Sequence, residues 1–290
     1  MFHNDVIEKC CYYDLNSNQC GSTNFIFVYY GRDVEYIYGY GYEVQYRTYN
    51  FRYGVEHLVY IDHRNKLKNN DYMNVHKGAK LEIYFDSNEI DLEYFFCDSK
   101  DTNSRYLTSI DFSYFHSTGI KSLQFTFMDC KRLTSLDVSN LNTSLVTNMD
   151  YTFNGCSKLK SLDLSNFDTS LVTEMKEMFS GCVEMISIDL SSFNTPSLTN
   201  MKNMFYECNS LISLDLSSFD TSLVTSINLL FYGCFELQYL DISNFNLKSV
   251  KNYDLSFTEL SSLKYINLYH DAEPYSILTK SELNTKNGLI

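Results

Sequence analysis

Apolar residues return every 26 positions along most of this chain. Leu136, Leu162, Ile188, Leu214, Leu240 and Ile266 form one column. Phe127, Phe153, Phe179, Phe205, Phe231 and Phe257 form a second, and Cys130, Cys156, Cys182, Cys208 and Cys234 a third. A constant period of this length predicts a solenoid, a stack of equal units none of which buries its apolar face alone. Residues 159–184 show one unit. A strand alternates its side chains, so Leu162 and Leu164 are expected inward and Ser161 and Asp163 outward. Phe167 closes the turn after the strand. Val172, Met175, Phe179 and Cys182 recur at intervals of three and four, which predicts one face of a short helix or helical turn. Thr173 fits its N-cap and Gly181 its C′ residue. The expected fold class is an α/β repeat solenoid with a parallel β-sheet on one face and short helices or helical turns on the other. Its core is expected to hold Leu162, Leu164, Phe167, Val172, Met175, Phe179 and Cys182 with their equivalents.

Leu159, Leu162 and Leu164 follow the L-x-x-L-x-L spacing of a leucine-rich repeat. The string F-x-x-S-L-V-T-x-M-x-x-M-F-x-G-C-x-x-L-x-S-L-D-L-S resembles the 26-residue repeat of BspA-like leucine-rich-repeat surface proteins. FDTSLVTEMKEMFSGC from Phe167 and FNTPSLTNMKNMFYEC from Phe193 carry it best. The resemblance covers about residues 107–270. It implies a cell-surface or secreted protein that binds host or neighbouring-cell macromolecules, in adhesion or host interaction, with no catalytic residues. Copies near the ends drift: Leu123 and Tyr253 replace the Met and Leu260 the Cys.

The remaining residues divide by pattern. Residues 1–57 read as a strand-rich, Tyr-rich N-terminal cap. Phe25–Tyr30 has strand composition, and Tyr36, Tyr38, Tyr40, Tyr42 and Tyr46 share one parity. Residues 58–106 read as divergent repeats, because Leu58, Ile61 and Asn65, then Leu81, Tyr84 and Asn88, copy the spacing of Leu133, Leu136 and Asn140. Residues 107–270 hold the regular repeats and 271–290 a polar tail. The first fifteen residues lack a basic start followed by an apolar core and do not read as a signal peptide. That sits against the surface location implied by the resemblance, so a cytoplasmic location stays open.

Charge narrows the partners. The chain carries 23 Lys and Arg against 36 Asp and Glu, a net charge of −13. Neither half has a basic excess, which argues against nucleic acid, and no apolar run reaches the length of a membrane span. No His lies between 117 and 269, so the many Ser residues there lack the imidazole of a hydrolytic triad. No C-x-x-C zinc spacing occurs and Gly39-x-Gly41 lacks a third glycine, so neither a metal nor a cofactor is expected. The chain does not read as an enzyme.

Two columns carry candidate chemistry. Asp111, Asp137, Asp163, Asp189, Asp215 and Asp241 form an acidic ladder flanked by Ser columns. Charges one rung apart, about 4.8 Å, repel by roughly 0.9 kcal/mol in water. Either local hydrogen bonds offset this or the ladder meets a basic or cationic partner. The expected partner site is the concave strip of Ser161, Asp163, Ser187, Asp189, Ser213 and Asp215, open to a protein or glycan ligand. An intracellular protein-interaction scaffold would use the same strip. The Cys column is expected to be buried thiol, since its next member is Leu260. Cys10, Cys11, Cys20 and Cys97 are the candidates for disulfides in an exported chain.

Overall fold

A computed structural model describes residues 25–30, 44–50, 55–57, 80–85, 92–93, 95–97, 106–113, 115–116 and 118–268. Nine strands lie among them: β1 (Phe25–Tyr30), β2 (Val44–Asn50), β3 (Val55–His57), β4 (Lys80–Phe85), β5 (Leu107–Asp111), β6 (Ser135–Asp137), β7 (Ser213–Asp215), β8 (Tyr239–Ile242) and β9 (Tyr265–Leu268). Two sheets result, one ordered β3-β2-β4-β1-β5-β6 and one ordered β7-β8-β9. β5–β6, β7–β8 and β8–β9 are parallel, and their registers join equivalent positions of successive units, such as Asp111 to Asp137 and Leu214 to Leu240.

The apolar columns meet as the period requires. Leu162, Leu164, Phe167, Val172, Met175, Phe179 and Cys182 are all buried, with most of their equivalents. The Phe column stacks ring on ring. Centroid separations are 5.5 Å for Phe127–Phe153, 5.5 Å for Phe153–Phe179, 5.6 Å for Phe179–Phe205 and 6.1 Å for Phe205–Phe231. Full burial of each ring stabilises by about 1.5–3 kcal/mol.

The expected helices are absent among the described residues. The 3-and-4 spacing of Val172, Met175, Phe179 and Cys182 arises from a succession of tight turns. The N–H groups of Met175, Glu177, Phe179 and Gly181 do not reach back four residues. They donate to Asn200, Lys202, Met204 and Tyr206 of the next unit, at 2.8–3.1 Å. The residues between them, Met178 and Ser180, make i→i−3 bonds to Met175 and Glu177. Glu177 and Gly181 have φ of 55° and 72°, and each neighbouring unit repeats this pair of left-handed positions four residues apart. The alternation turns the N–H groups toward one neighbour and the C=O groups toward the other. Apolar periodicity alone does not separate this turn edge from a helix, because both present every third or fourth side chain inward. Thr173 is accordingly no N-cap: its N–H and hydroxyl both donate to Thr147 O of the preceding unit.

The left-handed position that Gly155 and Gly181 occupy holds Asp129 and Glu207 in neighbouring units. A Cβ on Gly155 (φ 71°) would lie 2.5 Å from Asp129 Oδ1 and 3.3 Å from Asp129 Cα, whereas one on Gly181 would meet nothing closer than 3.5 Å. Gly181→Ala is expected to cost about 1–2 kcal/mol, the backbone term alone. Gly155→Ala should cost measurably more, and paired urea denaturation curves would show the difference.

The expected parallel sheet is also interrupted. The outward segments at 161–164 and 187–190 belong to neither sheet. They are tied to their neighbours by Ile186 N–H to Lys160 O and Ile212 N–H to Ile186 O. Buried side-chain hydroxyls carry part of the linkage instead. Thr169 Oγ1 donates to Asn194 O at 2.9 Å and accepts from Asn194 N–H at 2.9 Å, and Thr143, Thr195 and Thr221 repeat the exchange.

At the N-terminal side, β1 lies antiparallel against β5 and fills the place of a preceding repeat strand. Leu81 and Tyr84, read as a divergent repeat, fall in β4, which is antiparallel to β1 and β2. The turn edge has a predecessor at 92–97. There Thr126 Oγ1 donates to Leu92 O as Thr152 Oγ1 does to Leu123 O, and Phe96 stacks on Phe127 at 5.6 Å. Leu58, Ile61, Asn65, Asn88, the Tyr run 36–42 and the tail 271–290 lie outside the described residues.

Candidate functional site

The strand face is built by alternation. Apolar residues at 162, 188 and 214 are buried, so Ser161, Asp163, Ser187, Asp189, Ser213 and Asp215 are all exposed on the opposite side. Only Ser213 and Asp215 stand on an assigned strand, β7. The structure therefore places the six expected residues on one face, four of them on segments without a strand ladder.

Each ladder carboxylate is held locally. Asp163 Oδ1 accepts the Ser165 N–H at 3.0 Å, Asp189 that of Ser191 at 2.9 Å and Asp215 that of Ser217 at 2.9 Å. Asp111, Asp137 and Asp241 repeat the contact with Ser113, Ser139 and Ser243. These bonds from Ser165 and Ser191, backbone first and hydroxyl second, hold the Asp163 and Asp189 carboxyls below the usual carboxylate range. In Asp241 burial works against ionisation, but donors from Ser243, Asn267 and Tyr239 outweigh it and the carboxyl is again lowered. A carboxyl lowered on folding stabilises the fold above its unfolded value and loses that contribution as pH falls through the folded one. At Asp163, Asp189 and Asp241 the hydrogen bonds outweigh what disfavours the charge, which for Asp189 includes the neighbouring Asp163 carboxylate.

Two features of this face lay outside the expected strip. Ser109, Ile110, Asp111, Ser135 and Asp137 line an open depression of about 390 Å³ on β5 and β6. At the other end the Ser column changes character. Tyr239 and Tyr265 pair in register with Ser213 and with each other, and both are exposed. The sequence held that signal, since positions 213, 239 and 265 continue one column. The polar lining of the depression belongs to the same Ser and Asp columns, so its residues were visible in the sequence while its hollow was not.

A second polar cluster sits on the turn edge. Glu177 Oε1 accepts from Tyr151 Oη at 3.1 Å and Oε2 from Asn154 Nδ2 at 3.3 Å, while Lys176 Nζ lies 4.9 Å from the Tyr151 ring centroid. Asp150 Oδ1 accepts the Lys176 N–H at 2.6 Å, yet burial raises its carboxyl to about 6, with Glu174 and Glu177 adding to the rise. These positions vary from unit to unit, so no column marked them. Their groups bond one another and brace adjacent units.

The Cys column is buried, with each thiol donating to a Phe carbonyl of the preceding unit. Cys156, Cys182, Cys208 and Cys234 Sγ lie 3.1–3.2 Å from Phe127, Phe153, Phe179 and Phe205 O, and Cys130 Sγ lies 3.3 Å from Phe96 O. Cys97 is also buried, and Cys10, Cys11 and Cys20 lie outside the described residues. Among the described residues no group of three or more His, Cys, Asp or Glu side chains is placed to hold a metal ion. No helix among them is long and apolar enough to cross a membrane.

The family model described as "Mycoplasma protein of unknown function, DUF285" matches residues 121–213 and again 182–270, together just over half of the chain. No curated protein and no solved structure matches.

Proposed function

We propose that this chain, which belongs to the DUF285 family, is a BspA-like leucine-rich-repeat solenoid that binds a protein or glycan ligand through its strand face. The reading has it act without catalysis, at a cell surface, in adhesion or host interaction. The observation that carries it is the strip itself: successive exposed Ser and Asp residues, from Ser161 to Asp215, with no Lys or Arg in either outward column. Small side chains leave room for a ligand, and the carboxylates give it a charge to match. One observation favours an intracellular scaffold instead. The Cys156, Cys182, Cys208 and Cys234 thiols are unbridged, as in chains kept in a reducing compartment. Antibody labelling of intact cells separates the two locations.

The binding test uses the triple variant Asp163→Asn, Asp189→Asn and Asp215→Asn. Asn keeps the Oδ1 acceptor for Ser165, Ser191 and Ser217, so the variant is expected to fold. It should be slightly less stable than the parent at neutral pH, since it loses the ionised acceptors that the fold favours at Asp163 and Asp189. Wild type and variant would be probed on protein and glycan arrays. Ligands retained by the wild type should be lost by the variant and weakened by salt. A variant that keeps every ligand would move the site off the strand face.

A further inference from the structure

The exposed large side chains of the strand face gather at its C-terminal rungs. Ile186 and Ile212 are 45% and 44% exposed, Tyr239 40% and Tyr265 68%. Ile212 precedes Ser213, which pairs with Tyr239, which pairs with Tyr265. The two Tyr rings therefore stand on consecutive strands of one three-stranded sheet, about 4.8 Å apart at the backbone. Tyr239 is oriented: its hydroxyl donates to Asp241 Oδ2 at 3.1 Å, and Asn267 Nδ2 donates to the same oxygen at 2.8 Å. Asp241 is buried and fully engaged, so it positions the ring and does not meet a ligand. Asp215 and Asp189, one and two rungs away from Asp241, are exposed.

Aromatic faces with exposed carboxylates one and two rungs further along suit one kind of occupant. A neutral sugar would stack on the rings and could donate hydroxyl hydrogen bonds to Asp215 and Asp189, but it would leave their charge unmatched. A Lys or Arg side chain uses both: its cation is drawn to the ring face, and its charge is matched by the next carboxylate. The chain's net charge of −13 adds a long-range attraction of the same sign. Resting on the strand-face reading above, we infer that the occupant is a basic polypeptide. Its Lys or Arg side chains lie on Tyr239 and Tyr265 and turn toward Asp215 and Asp189, with Ile212 and Ile186 beneath its aliphatic stems.

Calorimetric titration of the full chain tests this with three probes: a nonapeptide alternating Arg and Gly, its Glu counterpart, and a neutral glucose heptamer. The Arg peptide is expected to bind, losing at least about tenfold in affinity between low and high salt. The Glu peptide should not bind. Tyr239→Ser and Tyr265→Ser should each weaken the Arg peptide by about two- to fivefold, while Tyr265→Phe, which keeps the ring, should not. Asp189→Asn with Asp215→Asn should flatten the salt dependence. An Arg peptide that binds the double Ser variant as it binds the parent overturns the proposal. So does a chain that ignores the Arg peptide, whatever else it binds. If the heptamer alone binds, and Tyr239→Ser abolishes it, the basic occupant is wrong while the strand-face reading stands. If arrays show ligands untouched by the triple Asn variant, that reading fails as well.

Discussion

Phe179→Ala is expected to lower the unfolding free energy by about 3–5 kcal/mol. The side chain is fully buried and stacked on both sides, at 5.5 Å from Phe153 and 5.6 Å from Phe205. Removing the ring leaves a cavity whose floor and roof are rings of neighbouring units. Those units are pinned by bonds from Phe153 N–H to Met178 O and from Phe179 N–H to Met204 O, so the cavity cannot close by collapse. Urea denaturation followed by circular dichroism would measure the loss. A double-mutant cycle with Phe153→Ala should give a coupling of about 0.5–1.5 kcal/mol, the ring–ring term beyond area. A loss below about 1 kcal/mol for Phe179→Ala would contradict the continuous ring stack.

Alkaline destabilisation should be the other large effect. Burial pushes the Cys182 and Cys234 thiols up to about 12, and lifts Cys156 and Cys208 well above their ordinary value. A thiol raised on folding contributes its full stability below its unfolded value, near 9, and loses it as pH rises toward the folded value. The window is therefore about pH 9 to 12, where each such thiol steepens the fall by up to about 1.4 kcal/mol per pH unit. Tyr and Lys residues titrate in the same range, so the measurement needs a partner. Cys182→Ala with Cys234→Ala starts less stable at pH 7, from its cavities, but should fall less steeply above pH 9. Parallel slopes would show that the column does not govern the alkaline limb. At neutral pH the same burial keeps the thiols unreactive, so labelling should be slow in the folded chain and fast in urea.

What the sequence made legible was whatever repeats. Period, inward columns, buried thiols and the outward Ser and Asp faces all followed from positions 26 apart, because equal environments select equal residues. The backbone of the turn edge did not follow. Glu177 and Gly181 share a left-handed conformation, but only Gly181 advertises it, and inward spacing reads the same for turns as for a helix. The broken sheet was also hidden, since Ser161 and Ser187 sit in the same column as Ser135 and Ser213, which do pair. The antiparallel sheet that meets β5 lay beyond the period altogether. At the candidate site the Asp and Ser residues were found by column, while Tyr239 and Tyr265 were visible only by following that column past its last Ser.

The turn edge has one more consequence, and it is electrical. From Leu123 to Phe231 the inter-unit bonds of the turn residues run from the N–H of one unit to the C=O of the next, four in most units, against a single bond per unit in the other sense where the edge begins, from the Thr147, Thr173, Thr199 and Thr225 N–H groups. The peptide dipoles along this edge add, as they do along an α-helix, but the sense is reversed: positive ends face the C-terminal side of the stack. Each added unit lengthens that aligned column. Rows of N–H groups held in one direction by turns with recurring left-handed residues favour anions, and the matching rows of C=O groups favour cations. The two ends of this edge are therefore unlike surfaces, so a stack that grows by whole repeats acquires a head and a tail.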